Sequence, residues 1–359
     1  MQQYKQEWFG NIRGDILAGI VVCLALFPEV IGFMIVAGVP PIVGVYATFF
    51  ITAIAAFFGS SKGMISAAAG SVALVLAHLV AEYGIQYLFA ATILAGILQV
   101  ALGLLKVGTL MRYIPKPVMT GFVNGLGIMM FTSQLDHFQG SLLLPLLGLL
   151  GIAIIFLFPR ITKKIPAPIV AILVITAIVL GFGLDVKTLG DMGSISTDLP
   201  RFGIPAVPMT VETLRIIFPT ALSVAIVGLV ESLLTAQLVD EITEEKSDKN
   251  QETLSQGLGN VVSGFFGGIA GCGMIGQTII NLNYGGLGRL ATFLSGFFML
   301  LSVVLLNGAV VQIPVVALAA VMVVVSIETI NWDSIKRLRT NPKNESFAMI
   351  LTVAIVIGT

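Results

Sequence analysis

Charge and cysteine are scarce in this 359-residue chain: 11% of its residues are charged and two are cysteines. Soluble domains carry about 25% charged residues, so a water-soluble enzyme is excluded. A disordered hub and a nucleic-acid binder, both of which depend on charge, are excluded with it. Cys23 and Cys272 stand in apolar, glycine-containing stretches, outside any CxxC or zinc spacing, which removes a disulfide framework. His78 and His137 are isolated, with no second ligand at metal spacing, and read as packing or loop residues. Walker A, Rossmann, nucleophile-elbow and zinc signatures are missing too. That counts against an ATP-driven pump and an intramembrane hydrolase, and leaves a chain expected to be neither an enzyme nor the holder of a metal or cofactor.

What the chain has in abundance is oil. Apolar residues make up 57% of it, and the mean hydropathy is +1.01. Apolar runs of about 18–20 residues recur throughout, as in a polytopic all-α protein of the lipid bilayer. Thirteen segments can be placed, at 15–37, 41–58, 68–82, 88–105, 114–134, 141–158, 166–183, 212–239, 253–269, 274–283, 290–306, 311–328 and 346–359. Two of them, 68–82 and 274–283, fall short of the ~20 residues that a helical span requires. Both open on small residues, SAAAGS (66–71) and GGIAGCG (267–273). The polar start MQQYKQEWFGNIRGD precedes a run interrupted by Pro28 and Glu29, so it is not a cleavable signal peptide. Residues 346–359 are apolar to the last, and the expectation is a truncated final segment with a fourteenth beyond Thr359.

Net charge is zero, but position is informative. Of the 19 Lys and Arg residues, only Lys187, Arg201 and Arg215 fall on the outer side of this division. Basic residues concentrate on the cytoplasmic side of membrane proteins, which predicts a multi-pass protein of the cell membrane with its N-terminus inside. The acidic run DEITEEKSD (240–248) reads as a solvated cytoplasmic loop.

The polar stretch 184–211 divides the chain into seven segments and those that follow. Seven plus seven makes two inverted repeats, each with a short third segment. Paired interruptions of this kind point to the binding site of a secondary transporter. Half-helices starting near Gly70 and Ser71, and near Met274 and Ile275, would aim free N–H groups and positive dipole ends at one space, which suits an anion. Any one of these glycines reads as a packing residue, but the matched pair reads as a site. Glu29, after Pro28, and Glu231, in the middle of LSVAIVGLVESLLTAQL, are intramembrane carboxyls with no Lys or Arg on their own stretches. Each must be protonated, hydrogen-bonded or neutralised by a cation, and a protonatable carboxyl in such a place is a proton carrier. Thr235, one turn after Glu231, could supply a second oxygen to a cation, although a threonine bonding its own i−4 carbonyl is the simpler reading.

GDILAGIVVCLALFPEVIGFMIVAGVPPIVGVYATF (14–49), ISAAAGSVALVLA (65–77), YIPKPVMTGFVNGLGI (113–128), VGLVESLLTAQLVDEIT (227–243) and GNVVSGFFGGIAGCGMIGQTIINLNYGGLGRLAT (259–292) together resemble the sulfate permease (SulP) family of anion transporters. The resemblance implies a core of segments 1–4 and 8–11 (14–106 and 212–306) moving against a gate of segments 5–7 and 12–13 (113–183 and 311–359). It implies substrate contacts at Glu29, Phe33, Ala69, Gly70, Ser71, Gly273, Met274 and Ile275, with Glu231 and Thr235 in ion coupling. The implied substrate is a small anion such as sulfate, bicarbonate or a dicarboxylate, and the implied assembly is a homodimer. Cyanobacterial bicarbonate members bind sodium with Asp at the position of Glu231 and Thr at that of Ile275, and carry Thr at that of Ala69. The residues here favour H⁺ over Na⁺ as coupling ion. The family's usual cytoplasmic STAS domain does not occur within these residues. The alternatives are a nucleobase:cation symporter of the same fold and a passive anion channel.

Overall fold

The computed structural model describes residues 2–109, 115–162, 166–192, 199–340 and 342–358. Along the chain run α1 (Gln2–Phe9), α2 (Ile12–Ala37), α3 (Pro41–Phe58), β1 (Ser66–Ala68), α4 (Gly70–Tyr83), α5 (Ile85–Leu104), α6 (Lys116–Gln134), α7 (Leu143–Leu157) and α8 (Ala167–Gly181). They are followed by α9 (Val211–Thr243), α10 (Lys249–Phe265), β2 (Gly271–Gly273), α11 (Ile275–Asn283), α12 (Arg289–Val310), α13 (Val315–Thr329), α14 (Trp332–Lys336) and α15 (Lys343–Gly358). Each apolar segment expected from the sequence holds a helix, from α2 to α13 together with α15. Among the described residues, five helices, within Ile12–Ala37, Pro41–Phe58, Ile85–Leu104, Leu143–Arg160 and Val211–Thr243, are long and apolar enough to cross a membrane. The protein is a multi-pass, all-α membrane protein.

Local chemistry explains the helix boundaries. Proline opens α3, α6 and α8, where its missing N–H costs nothing. Gly38 closes α2 in the left-handed conformation, at φ 69°, with its N–H reaching back to the Ile35 carbonyl and the Val39 N–H to that of Met34. Thr210 caps α9 by accepting from the Thr213 N–H, and Asp248 caps α10 by accepting from Asn250 and Gln251.

The chain divides into two compact units, Met1–Thr109 with Leu189–Gln312, and Leu110–Thr188 with Ile313–Thr359. In the first, α12 packs on α2 and α3, and α10 packs on α5 and α3. The α5–α10 seam is made of glycine: a Cβ on Gly257 would lie 2.7 Å from the Gly96 carbonyl and the Val100 nitrogen, and one on Gly96 would lie 2.6 Å from the Gly257 carbonyl. Backbone therefore meets backbone, as small residues permit between membrane helices.

The short α1 is riveted onto the ends of α3 and α12. Trp8 is buried with its ring 4.7 Å from that of Phe57, while Glu7 accepts from Arg289 Nε at 2.8 Å. Arg289 also donates to the Ala56 and Gly59 carbonyls, and Lys62 bridges Glu7 and Glu245. The acidic run at 240–248 is less of a free loop than expected. Asp240–Thr243 is the last turn of α9, and the half-buried Asp240 holds Lys249 at 2.7 Å. Asp240 outcompetes water here because one carboxylate collects both Lys249 and the Ser247 N–H and hydroxyl.

The second unit forms round α13, buried almost throughout from Val315 to Ser326, against α6, α7 and α8. Gly121 and Gly125 bring α6 onto α15. Asn124 fixes the turn after α13, accepting from the Asn331 N–H at 2.7 Å and donating to Ser334.

Gly257→Leu forces a branched side chain into the α5–α10 seam. Overpacking of this kind costs about 1–3 kcal/mol or more, so a lower thermal midpoint of the detergent-solubilised protein is expected, while Gly308→Leu, where an added Cβ meets nothing within 4 Å, leaves it unchanged.

Candidate functional site

In the first unit the chain twice abandons the helix. β1 and β2 pair antiparallel, Ser66 opposite Gly273, Ala67 opposite Cys272 and Ala68 opposite Gly271, and all six residues are buried. Each strand runs straight into a half-helix, α4 of 14 residues and α11 of 9. At 1.5 Å per residue these reach about 21 and 14 Å, short of the ~30 Å of hydrocarbon. The expected segment at 253–269 thus ends as a helix at Phe265, because Gly271–Gly273 is held as a strand. Glycine is required there: a Cβ on Gly273 would come within 3.0 Å of Ser232 Cα.

Backbone exposed at membrane depth must find partners, and the outer edge of β2 finds all of its partners in side chains. The Gly271 N–H donates to Asn260 Oδ1 at 2.8 Å, and Asn260 Nδ2 donates back to the Gly271 carbonyl at 3.1 Å. The Gly273 N–H donates to Ser232 Oγ at 2.9 Å, and Thr235 Oγ1 donates to the Gly273 carbonyl at 3.2 Å. On the other strand, the Ile65 N–H donates to Thr278 Oγ1 at 3.0 Å and Ser66 Oγ accepts from Gln256 Nε2 at 2.7 Å.

The two half-helix starts are dressed differently. Ala69 precedes α4 and Met274 precedes α11, and neither offers a side-chain cap. The first-turn N–H groups of Gly70, Ser71 and Val72, and of Ile275, Gly276 and Gln277, are those a helix leaves over. Ala69, Gly70, Ser71, Gly273 and Met274 are buried, whereas Ile275 is 37% exposed.

Round these starts stand the two carboxyls. Glu231 Oε2 accepts from Ser71 Oγ and from Cys272 Sγ, each at 2.7 Å, which ties α9 to the first turn of α4 and to β2. Hydrogen bonding, one of the three means open to it from sequence, is thus present at Glu231. Glu29 instead reaches across from α2 to α11, where Gln277 Nε2 donates to its Oε2. Phe33, one turn after Glu29, is buried. Thr235 takes the simpler of its two readings: its hydroxyl donates to the Glu231 carbonyl at 2.8 Å, as well as to Gly273. The ten residues singled out from sequence therefore lie on α2, the β1–α4 and β2–α11 junctions, and α9 of one unit. Gln277, Cys272, Ser232 and Asn260 were not singled out. Asn260 had a legible signal, since Glu252, Gln256 and Asn260 repeat every four residues along α10 and so share one face. His78 is neither packing nor loop: it lies on the exposed side of α4, 3.3 Å from Glu82 one turn on.

Discontinuous helices that begin from a shared ribbon beside half-buried carboxyls define a class, that of membrane transport proteins with binding sites built from broken helices. The sulfate permease family model matches residues 12–144 and 141–352. The chain belongs to that family, and it is a transporter rather than an enzyme. YbaR of Bacillus subtilis (strain 168), named as a candidate sulfate transporter, is 54% identical over 99% of this chain and 74% of its own length. The bicarbonate transporter BicA of Synechocystis is 31% identical over 94% of this chain, which spans 64% of BicA's length. The transmembrane domain of a cyanobacterial BicA superposes with a TM-score of 0.89 at 25% identity, covering 97% of this chain and 96% of that one. Murine Slc26a9 shares the fold at a TM-score of 0.83, 17% identity, and 97% and 67% coverage.

Ser232→Ala removes the acceptor of the buried Gly273 N–H. An unmade buried hydrogen bond costs about 1–3 kcal/mol, so a drop in thermal midpoint is expected, and Ser232→Thr, which keeps the hydroxyl, recovers part of it.

Proposed function

We propose that the chain is a secondary active transporter of a small anion, sulfate, bicarbonate or a dicarboxylate, with H⁺ as the coupling ion. The observation that carries this reading is the pair of uncapped helix starts at Gly70 and Ile275, which rise from one ribbon beside Glu231. First-turn N–H groups and the positive ends of two helix dipoles attract an anion without a fixed cationic side chain. The names of YbaR and BicA support the substrate class.

Proton coupling is favoured over sodium by the oxygen count. Sodium requires several oxygen ligands, but Ala69, Met274 and Ile275 contribute none from their side chains. Glu231 is the carrier in this reading, and uptake of a proton there offsets the charge of the bound anion. Glu29, with Gln277, lines the substrate side. The unit that holds the site moves as the core and the other serves as the gate, in an elevator-like cycle, with the N-terminus cytoplasmic in the cell membrane and the protein a homodimer.

The test is uptake of labelled sulfate, bicarbonate and fumarate by proteoliposomes of the full-length protein, under imposed pH or sodium gradients. Accumulation of at least one anion is expected under an inward proton gradient, and Glu231→Gln is expected to abolish the response to the gradient. The proposal fails when no anion accumulates under either gradient, or when Glu231→Gln responds to pH as the parent does.

A further inference from the structure

Helix α10 supplies no residue to the candidate site, yet it carries a buried polar stripe, Glu252, Gln256 and Asn260, whose every member grips a segment leading into that site. Glu252 Oε2 accepts from the Ser60 and Ser61 N–H groups, at 2.8 and 3.1 Å, and so fixes the turn between α3 and β1. Gln256 Nε2 spans from Glu252 Oε1 to Ser66 Oγ in β1. Asn260, fully buried, lies along Gly271 as one peptide lies along another in a sheet, donating to its carbonyl and accepting from its N–H. The other Asn260 bond fixes which way the amide faces: Nδ2 donates to Gln99 Oε1 at 2.8 Å, and Gln99 Nε2 donates in turn to the Ala225 carbonyl. With Gln99 holding it, Asn260 presents its oxygen to the N–H and its nitrogen to the carbonyl, the one arrangement that satisfies Gly271.

We infer that Asn260 is the positioning residue of the site, acting as a third strand that sets where β2 ends and therefore where α11 begins and where Cys272 meets Glu231. The neighbouring residue of Gly271 is Cys272, whose thiol donates to Glu231, and three residues further on lies the first residue of α11. Release of Gly271 removes two bonds from the outer edge of β2 and leaves only the Ser232 and Thr235 contacts at Gly273. The hydrogen bonds of Asn260 go to Gln99 and Gly271, not to the residues assigned to substrate, so its effect on an anion is transmitted through the backbone of β2. The consequence for transport rests on the anion reading above; the consequence for the ribbon does not.

The test uses the full-length protein with Cys23→Ala, which leaves Cys272 as the one thiol of this part of the chain. Two quantities are read, the rate at which N-ethylmaleimide modifies Cys272, and KM and Vmax for anion uptake. Loss of a hydrogen-bonded pair of this kind is worth about tenfold, so Asn260→Ala is expected to speed Cys272 modification about tenfold or more and to raise KM by a similar factor, with Vmax changed less. Gln99→Met, which leaves Asn260 in place but frees its amide to turn, is expected to shift both in the same direction by less, and it decides the matter where Asn260→Ala does not fold. Ser263→Ala, on the same helix with its hydroxyl on the Ile269 carbonyl before the ribbon, is expected to leave both as in the parent. The inference is overturned when folded Asn260→Ala and Gln99→Met leave Cys272 modification within about twofold of the parent, or when Ser263→Ala moves it as far as they do. Faster modification in a protein whose parent transports no anion leaves the positioning role standing and removes the transport reading.

Discussion

A peptide group stripped of its hydrogen bonds in hydrocarbon costs several kcal/mol, and the first unit is built round the six residues where the chain leaves the helix. Between themselves, β1 and β2 satisfy one edge each. The remaining edges look outward into helices, and these helices place Ser232, Thr235, Asn260 and Thr278 at the positions where carbonyls and amides need them, while Gln256 holds the Ser66 hydroxyl. Four polar side chains on α9, α10 and α11 are thus explained by a single requirement. The tight glycine seam between α5 and α10 serves it too, because only close helices let Gln99 on α5 reach Asn260 on α10.

The same ribbon separates the two kinds of chemistry in the site. Fixed polarity comes from backbone, at helix starts where no side chain competes for the N–H groups. Adjustable polarity comes from two carboxyls, Glu231 bonded to α4 and β2, and Glu29 bonded to α11. Each carboxyl therefore bridges a long helix to a half-helix start. Any ligand that draws on the N–H groups of α4 or α11 also competes for Ser71 or Gln277, the residues that dress the carboxyls.

Much of this was legible in the sequence, and for physical reasons. Hydrocarbon forces long uninterrupted apolar runs, so helices α2 to α13 and α15 announce themselves, and the shortness of 68–82 and 274–283 shows where they break. Glu29 and Glu231 stand out because a carboxyl among valines and leucines is costly unless it is protonated, hydrogen-bonded or paired with a cation. The strand pair was hidden: three-residue strands of serine, alanine, glycine and cysteine carry no alternation, and their partners lie on other helices. Gln277 and Cys272 were hidden for a related reason, since an amide or a thiol in an apolar run is ordinary until its partner across space is known. The helix α1 fell outside the apolar pattern altogether, because Trp8, Glu7 and a distant Arg289 hold it, not a hydrophobic face of its own.

The ribbon also sets a timetable. Ala67 pairs with Cys272, so about 200 residues must be made after the first strand before its partner exists, which at about 5–20 residues per second takes on the order of 10–40 s. Through that interval the unwound stretch before α4 is in the translocation machinery or the bilayer with its edge unpaired, and nothing in the first half of the chain can complete it. Completion of the ribbon is therefore a wait for the second half, and a polypeptide interrupted before residue 271 keeps an open strand edge, a surface that invites pairing with another chain.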